Sequence, residues 1–194
     1  MDCTAGKKLW DRFSNSDEIY VITSVISIDP FDTKGETKVR TEKHPLTKSY
    51  YSDVDTGEKR NGPIATIFNG PASNISLVAS VVEQDDGSPD AYKDEVDVIV
   101  KAAVAVAVSL GVDPTLASEL SPLISWAVNS LLGSDDDLIS DEYTTLSWSE
   151  LIAHVNHTPK TSESLGGIPY HFYSEHEGDG ASYFVFYGAR YIRS

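Results

Sequence analysis

The residue pattern changes near positions 87 and 133, and this change limits the folds open to the chain. Outside that interval, short runs rich in Ile, Val, Tyr and Phe alternate with turn-forming stretches, which is typical of strands. Inside it lie serine-proline and aspartate-proline helix starts and glycine stops. These signals are Ser88-Pro89, Asp113-Pro114, Ser121-Pro122, Gly111 and Gly133. They predict helices at about 89–110 and 122–132, with a short one near 114–120.

The strand signals lie on both sides of this helical block. Residues 17–29 alternate apolar and polar side chains, and residues 74–85 form a second, almost continuously apolar run. Residues 47–68 predict a strand, a polar turn through Asp55, Gly57 and Asn61 to Pro63, and another strand. Residues 169–193 carry two aromatic, β-rich runs around the sequence EGDG, which indicates a hairpin.

One segment of the helical block has an ambiguous pattern. Ala102 to Val108 reads AAVAVAV, and this strict alternation also fits a strand. The start and stop signals around it favour a helix.

Together these patterns predict a mainly β fold, an antiparallel β-sandwich with a two- or three-helix insertion between late strands. A length of 194 residues fits a single domain. We expect the sandwich to comprise residues 17–86 and 134–194, and the helical insertion to comprise residues 88–133.

The charge balance restricts the possible partners. Thirty acidic residues against 15 basic ones give a net charge of -15, which repels phosphate backbones and disfavours nucleic-acid binding. The same field attracts cations.

Cys3 is the lone cysteine, so neither an intrachain disulfide nor a thiolate metal cluster is expected. The first ten residues lack the apolar core of a signal peptide. A secreted or extracellular location is nevertheless slightly favoured.

Acidic residues stand at both ends of the predicted insertion. The strand-like run before it leads directly into Glu83, Asp85 and Asp86, and Asp135–Asp137 lead directly into the strand-like run after it. If the two flanking strands are neighbours, these carboxylates converge at one end of the sandwich. Such a cluster repels itself unless a cation compensates it, and calcium takes six to eight oxygen ligands of this kind.

The same two segments carry a family resemblance. VVEQDDGS and SDDDLIS resemble the two halves of the third calcium-binding loop of C2 domains, in which a strand ends in acid-x-acid and a later Asp-Asp-x-Ile-Gly opens the next strand. Val81, Glu83 and Asp85 match the first half, and Asp136, Asp137 and Ile139 match the second. Glu83 and Ser140 replace the family's usual aspartate and glycine, and the helical block interrupts a loop that is normally short.

The resemblance implies an eight-stranded β-sandwich that attaches to membranes or other ligands through calcium. Asp29 and Asp32, in the sequence DPFD, would then stand for the acids of the first calcium loop. We therefore expect a non-enzymatic calcium-binding module whose partner is a membrane surface, a glycan or a protein. The expected ligands are Asp29, Asp32, Glu83, Asp85, Asp86, Asp135, Asp136 and Asp137.

Three alternatives remain open at this level. The acids could simply cap helices and solvate loops. The apolar helical block could insert into membranes, as in a toxin or pore-forming protein, although Val98–Val112 includes Lys101 and is shorter than the roughly 20 residues of a spanning helix. A hydrolase could use the histidines, but no motif of a zinc site or of a nucleophilic serine accompanies them. These histidines are His154, His157, His171 and His176.

Overall fold

The computed structural model describes residues 2–7, 17–28, 37–46, 48, 50–54, 59–61, 66–69, 74–84, 88–111, 113, 120–122, 124–125, 129–130, 136–156, 164–165, 168–178 and 181–189. The fold is mainly β, with antiparallel sheets and a few helices. The strands are β1 (Asp2–Lys7), β2 (Asp17–Ile28), β3 (Thr37–His44), β4 (Tyr51–Val54), β5 (Lys59–Asn61), β6 (Ile75–Gln84), β7 (Asp136–Leu146), β8 (Ser164–Leu165), β9 (Ile168–Gly178) and β10 (Ala181–Gly188). The helices with described bounds are α1 (Pro89–Ser109) and α2 (Trp148–Asn156).

The strands form two sheets. Sheet A has the order β5-β1-β10-β9-β8, and sheet B has the order β3-β2-β6-β7, with β4 also pairing with β2. Every pairing is antiparallel. The helical block lies between β6 and β7 in the chain, and these two strands are neighbours in sheet B.

Both faces of sheet B are buried, which explains why β6 is almost continuously apolar. On one face, Leu77 and Val81 belong to an apolar cluster that also contains Val185 of sheet A. On the other face, Val78 and Val82 belong to a second cluster, formed with the helical block. A strand that is covered on both sides has no solvent-facing positions to fill with polar residues.

Helix α1 packs against sheet B through one stripe of small and β-branched residues. The stripe consists of Val96, Val100, Ala103, Val104 and Ala107. Its spacing of three and four residues is that of one helical face, so the alternating AAVAVAV segment is helical, as its flanking signals predicted. After α1, Gly111 adopts a φ of 74°, a conformation that favours glycine.

A second helical segment covers the same face of sheet B. Residues 120–122, 124–125 and 129–130 are helical where described. Leu120 and Ile124 are 2% and 0% exposed and belong to the cluster that contains α1. The predicted helix at 122–132 is therefore confirmed at its described positions, and that near 114–120 lies outside the described residues except for Leu120. Within the described residues, no helix has the length and apolar character needed to cross a membrane.

Several local predictions are confirmed. The runs at 17–29 and 74–85 form β2 and β6, and β9 and β10 form the C-terminal hairpin. The strand expected near residue 51 is β4.

Other local features differ from the prediction. At its described positions, 66–68, the run ending at residue 68 does not form a strand, although Ile67 and Phe68 pack against an apolar cluster shared by the two sheets. Lys59–Asn61, within the predicted turn, form β5. Strand β1 lies before the predicted β region and pairs with β10, and α2 interrupts the predicted β region after residue 134.

Candidate functional site

The strands that flank the helical insertion bring its two acidic ends together. In the pairing of β6 with β7, Glu83 lies opposite Asp137 and Gln84 lies opposite Asp136. Neighbouring strands are about 4.8 Å apart. The adjacency that the sequence interpretation required is therefore present at this end of sheet B, which we call the acidic edge (Glu83, Gln84, Asp136 and Asp137).

A β-bulge lies directly beside the acidic edge. Val82 pairs with Leu138 and Val81 pairs with Ser140, so Ile139 is an extra residue in β7. A bulge bends a strand and increases its local twist, and it changes the direction in which nearby side chains point. The direction of β7 at the acidic edge therefore depends on how this bulge is held.

Strand β9 of sheet A holds the bulge from the other side. The Nδ1 atom of His176 lies 3.3 Å from the carbonyl oxygen of Ser140, to which it donates a hydrogen bond. Gly178 approaches the backbone of Ile139 so closely that a Cβ atom at this position would collide with the Ile139 carbonyl oxygen. The glycine is required here because of this close approach.

The imidazole of His176 is buried and neutral. Its side chain is 0% exposed, and burial lowers its pKa to about 4. Because Nδ1 carries the proton donated to Ser140, Nε2 accepts a hydrogen bond from the Ser174 hydroxyl at 2.8 Å. The Ser174 hydroxyl also lies 3.3 Å from the Tyr187 hydroxyl. This histidine therefore has a structural part in linking the two sheets.

On the opposite face of β7, a polar cluster joins the helical block to sheet B. The Ser80 hydroxyl donates a hydrogen bond of 2.6 Å to the Asp141 carboxylate, and the hydroxyls of Ser125 and Tyr143 are 2.9 Å apart. Burial raises the pKa of Asp141, although hydrogen bonds from Ser80 and Ser125 act in the opposite direction. Burial also raises the pKa of the Tyr143 hydroxyl. Strand β7 is thus fixed on both faces.

Buried polar groups also meet near the start of α1. Lys43 donates hydrogen bonds to the carbonyl oxygens of Lys48 at 2.6 Å and Pro45 at 3.3 Å, and its ammonium lies 3.3 Å from the Asp90 carboxylate. Burial lowers the pKa of the adjacent His44 to about 3, and its Nε2 atom has no hydrogen-bond partner in the described part of the chain. Sequence patterns alone do not indicate that either residue is buried.

The expected calcium ligands are described to different extents. Glu83 is half-buried at the end of β6, and Asp136 and Asp137 begin β7, where their backbone positions are described. The remaining expected ligands lie outside the described residues: Asp29, Asp32, Asp85, Asp86 and Asp135. Over the described positions, no group of three or more His, Cys, Asp or Glu side chains is placed to hold a metal ion.

The histidines of the hydrolase alternative occupy different settings. His154 is half-buried on α2, and His176 is enclosed between the sheets. His157 and the side chain of His171 lie outside the described residues.

Comparison of the chain with protein-family models, with curated proteins and with solved structures finds no match. The functional interpretation therefore rests on the residues and their geometry.

Proposed function

We propose that the chain is a calcium-binding, non-enzymatic module with a C2-like β-sandwich, which engages a membrane surface, a glycan or a protein through its acidic loops. The observation that carries this proposal is the pairing of β6 with β7, in which Glu83 lies opposite Asp137. The two segments that resemble the halves of one C2 calcium loop thus begin and end on neighbouring strands, despite the long insertion between them.

Covalent connectivity extends the acidic edge to further ligands. Asp85 directly follows Gln84, and Asp135 directly precedes Asp136. Carboxylates that lie close together disfavour one another's ionised form, and a divalent cation removes that repulsion. Calcium is the preferred ion because it accepts six to eight oxygens in flexible geometry at about 2.3–2.6 Å.

The sandwich architecture is supported by the core between the sheets. Ile19, Leu77 and Val81 of sheet B share one apolar cluster with Tyr183 and Val185 of sheet A. Face-to-face packing of two antiparallel sheets is the arrangement that a C2-like sandwich requires. In this proposal the helical block covers the outer face of sheet B and leaves the acidic edge at the end of the sandwich.

The decisive experiment is calorimetric titration of the protein with calcium chloride. We expect binding with a Kd of about 1 mM or tighter, in the range of calcium sites on extracellular modules and sensors. Asp136→Asn/Asp137→Asn should weaken or abolish this binding. The matched control is Asp94→Asn/Glu95→Gln, which removes the same charge from exposed positions of α1 and should leave binding unchanged.

Two results would contradict the proposal. One is the absence of calcium binding at millimolar concentrations by the folded wild-type protein. The other is an equal loss of affinity in both double variants, which would reflect the net charge and not a site. Thermal unfolding of each variant in a chelator shows whether it is folded, so that loss of binding is not confused with loss of structure.

A membrane-active function is the second candidate, because α1 exposes apolar side chains on the face away from sheet B. Val98 and Val108 are 66% and 52% exposed, and Leu110, directly after α1, is 74% exposed. Dye release from liposomes, measured from neutral to acidic pH, tests this function. Leakage would support it, and the absence of leakage at every pH would exclude it.

A further inference from the structure

The outer face of sheet A carries a group of aromatic rings, of which Tyr173 is exposed and Phe184 and Phe186 are half-buried. Along β9, Tyr173 is 44% exposed, whereas the neighbouring Ser174 is 8% exposed and faces the core. On β10, Phe184 and Phe186 alternate in the same way with the buried Val185. The pairing of the two strands places Tyr173 opposite Phe186. We call these three rings the aromatic face (Tyr173, Phe184 and Phe186).

The rings of the aromatic face contact one another in edge-to-face and tilted arrangements. The centroids of Tyr173 and Phe184 are 5.7 Å apart with an interplanar angle of 67°, an edge-to-face arrangement. Tyr173 and Phe186 are 5.8 Å apart at 50°, and Phe184 and Phe186 are 6.4 Å apart at 32°. Such contacts orient the rings with respect to one another. The aromatic face is therefore ordered by its own packing as well as by the strands.

Carboxylates border the aromatic face. Glu175 lies opposite Phe184 across the strand pair, and Glu177 follows two residues later on the same side of β9, where both are exposed. Glu142 of β7 is close enough to Glu175 for the two charges to interact: burial raises the pKa of Glu142, and the charges of Asp141 and Glu175 raise it further. Glu175 and Glu177 of β9 thus adjoin the three aromatic rings, and Glu142 of β7 adds a further negative charge near Glu175.

This combination fits a cation with an organic body. The face of an aromatic ring carries negative potential and attracts an ammonium or guanidinium group. Glutamates beside the rings supply charge-assisted hydrogen-bond acceptors for the same group, and the net charge of -15 favours the approach of a basic partner. Phosphate backbones and anionic lipid head groups are repelled by the same charges. An aliphatic partner gains nothing from the glutamates, which would lose hydration on contact.

We propose that the aromatic face and its flanking glutamates bind a basic segment of a partner protein through arginine or lysine side chains. This surface shares no residue with the acidic edge of sheet B, and the proposal does not depend on calcium. Guanidinium groups are expected to bind better than ammonium groups, because they stack on rings and pair with carboxylates in a bidentate manner.

The test is an NMR titration of the whole chain with a peptide of alternating glycine and arginine, in a chelator at physiological ionic strength. We expect shifts of the Tyr173, Phe184 and Phe186 signals. A peptide in which citrulline replaces arginine has the same shape without the charge and should bind much more weakly. Tyr173→Leu keeps an apolar side chain but removes an aromatic ring, and it should weaken binding about two- to five-fold, the usual effect of an exposed cation–π contact.

A pair of charge-matched variants separates local binding from the overall field of the protein. Glu175→Gln removes a carboxylate beside the rings, and Glu95→Gln removes one from an exposed position of α1, on the other side of sheet B. The first should weaken binding clearly more than the second. Since Glu175 is exposed, the variant is expected to fold, and its thermal unfolding confirms that.

Several outcomes would overturn the proposal. Shifts located away from the aromatic face, equal effects of the two glutamate variants, or equal binding of the citrulline peptide would each refute it. Shifts of the aromatic signals by a neutral oligosaccharide such as cellohexaose, without shifts by the arginine peptide, would assign the face to sugars instead. Because calcium is absent from this assay, its failure is independent of the calcium proposal.

Discussion

Acidification from pH 7 to pH 5 should destabilise the fold through two buried histidines. His44 and His176 are 2% and 0% exposed, and burial lowers their pKa values to about 3 and about 4 from an ordinary value of 6.5. The unfolded chain therefore binds two protons in this range that the folded chain does not bind. The two neutral histidines contribute fully to the free energy of unfolding above the unfolded pKa of about 6.5, and this contribution is lost as the pH falls below it.

The size of the effect follows from the same values. For each histidine, the free energy of unfolding changes with pH because the unfolded state binds the proton more strongly than the folded state. With an unfolded pKa of about 6.5 and a folded pKa below 5, the free energy of unfolding falls by about 2 kcal/mol between pH 7 and pH 5. Both histidines together contribute about 4 kcal/mol, a large share of the roughly 5–15 kcal/mol that stabilises an ordinary domain.

Asp141 acts in the opposite direction. Its raised pKa means that the folded state takes up this proton more readily than the unfolded chain does, so protonation of Asp141 stabilises the fold as the pH falls. Comparison of each histidine variant with the wild type cancels this contribution.

The assay is urea unfolding of the wild type, His44→Gln and His176→Gln at pH 7 and pH 5. Each variant should lose about 2 kcal/mol less than the wild type between the two pH values, because one proton-binding difference has been removed. In the folded wild type, the ring signals of both histidines should remain those of neutral imidazole at pH 5. Equal pH dependence in the wild type and both variants would refute the reasoning, as would a histidine ring that titrates near pH 6.5.

Three further substitutions, one of them with a matched control, test the packing around β7 and the helical block. Gly178→Ala should cost about 1–3 kcal/mol in chemical denaturation, because the added Cβ collides with the β7 backbone; an unchanged midpoint would disprove the close approach. Ile124→Ala should lower the free energy of unfolding by about 2–5 kcal/mol, because it leaves a cavity beneath the helical block. The control, Val98→Ala at an exposed position, should change it by no more than about 0.5 kcal/mol. Equal losses in the two variants would contradict this packing. Ser80→Ala should lower the free energy of unfolding by about 1–3 kcal/mol, because it removes a hydrogen-bond donor to the Asp141 carboxylate. The loss should be larger at pH 8, where this carboxyl group is ionised, than at pH 4. A larger loss at pH 4 would contradict the hydrogen bond.

Features of the fold with local signals were predictable from the sequence. Ser88-Pro89 and Gly111 delimit α1 closely, and the alternating residues of 17–29 form β2. The capping box at the start of α2, in which Ser147 and Glu150 exchange hydrogen bonds, is a local signal that the sequence interpretation missed.

Long-range packing was not predictable in the same way. The pairing of β1 with β10 joins the two ends of the chain, and no local pattern specifies it. Ile67 and Phe68 have the composition of a strand but fill a space beside the core without pairing. In both cases tertiary contacts decide the outcome, because a short apolar run can be buried in several ways.

The candidate site also combines local features that the sequence indicated with long-range contacts that it did not. The acids flanking the insertion were visible in the sequence, and the pairing of β6 with β7 brings one of them, Glu83, opposite another, Asp137. The contact of His176 with the bulge at Ser140 was not visible, because it joins residues 36 positions apart on different sheets. The sequence therefore identified the charged groups but not the groups that position β7.

A residue-resolved NMR titration with calcium chloride shows whether calcium binds at the acidic edge. We expect saturable shifts of the backbone amides of Glu83, Gln84, Asp136 and Asp137, reversed by a chelator and absent in Asp136→Asn/Asp137→Asn. Amide signals at this edge that do not move at millimolar calcium, in a protein shown to be folded, would rule out a calcium site there.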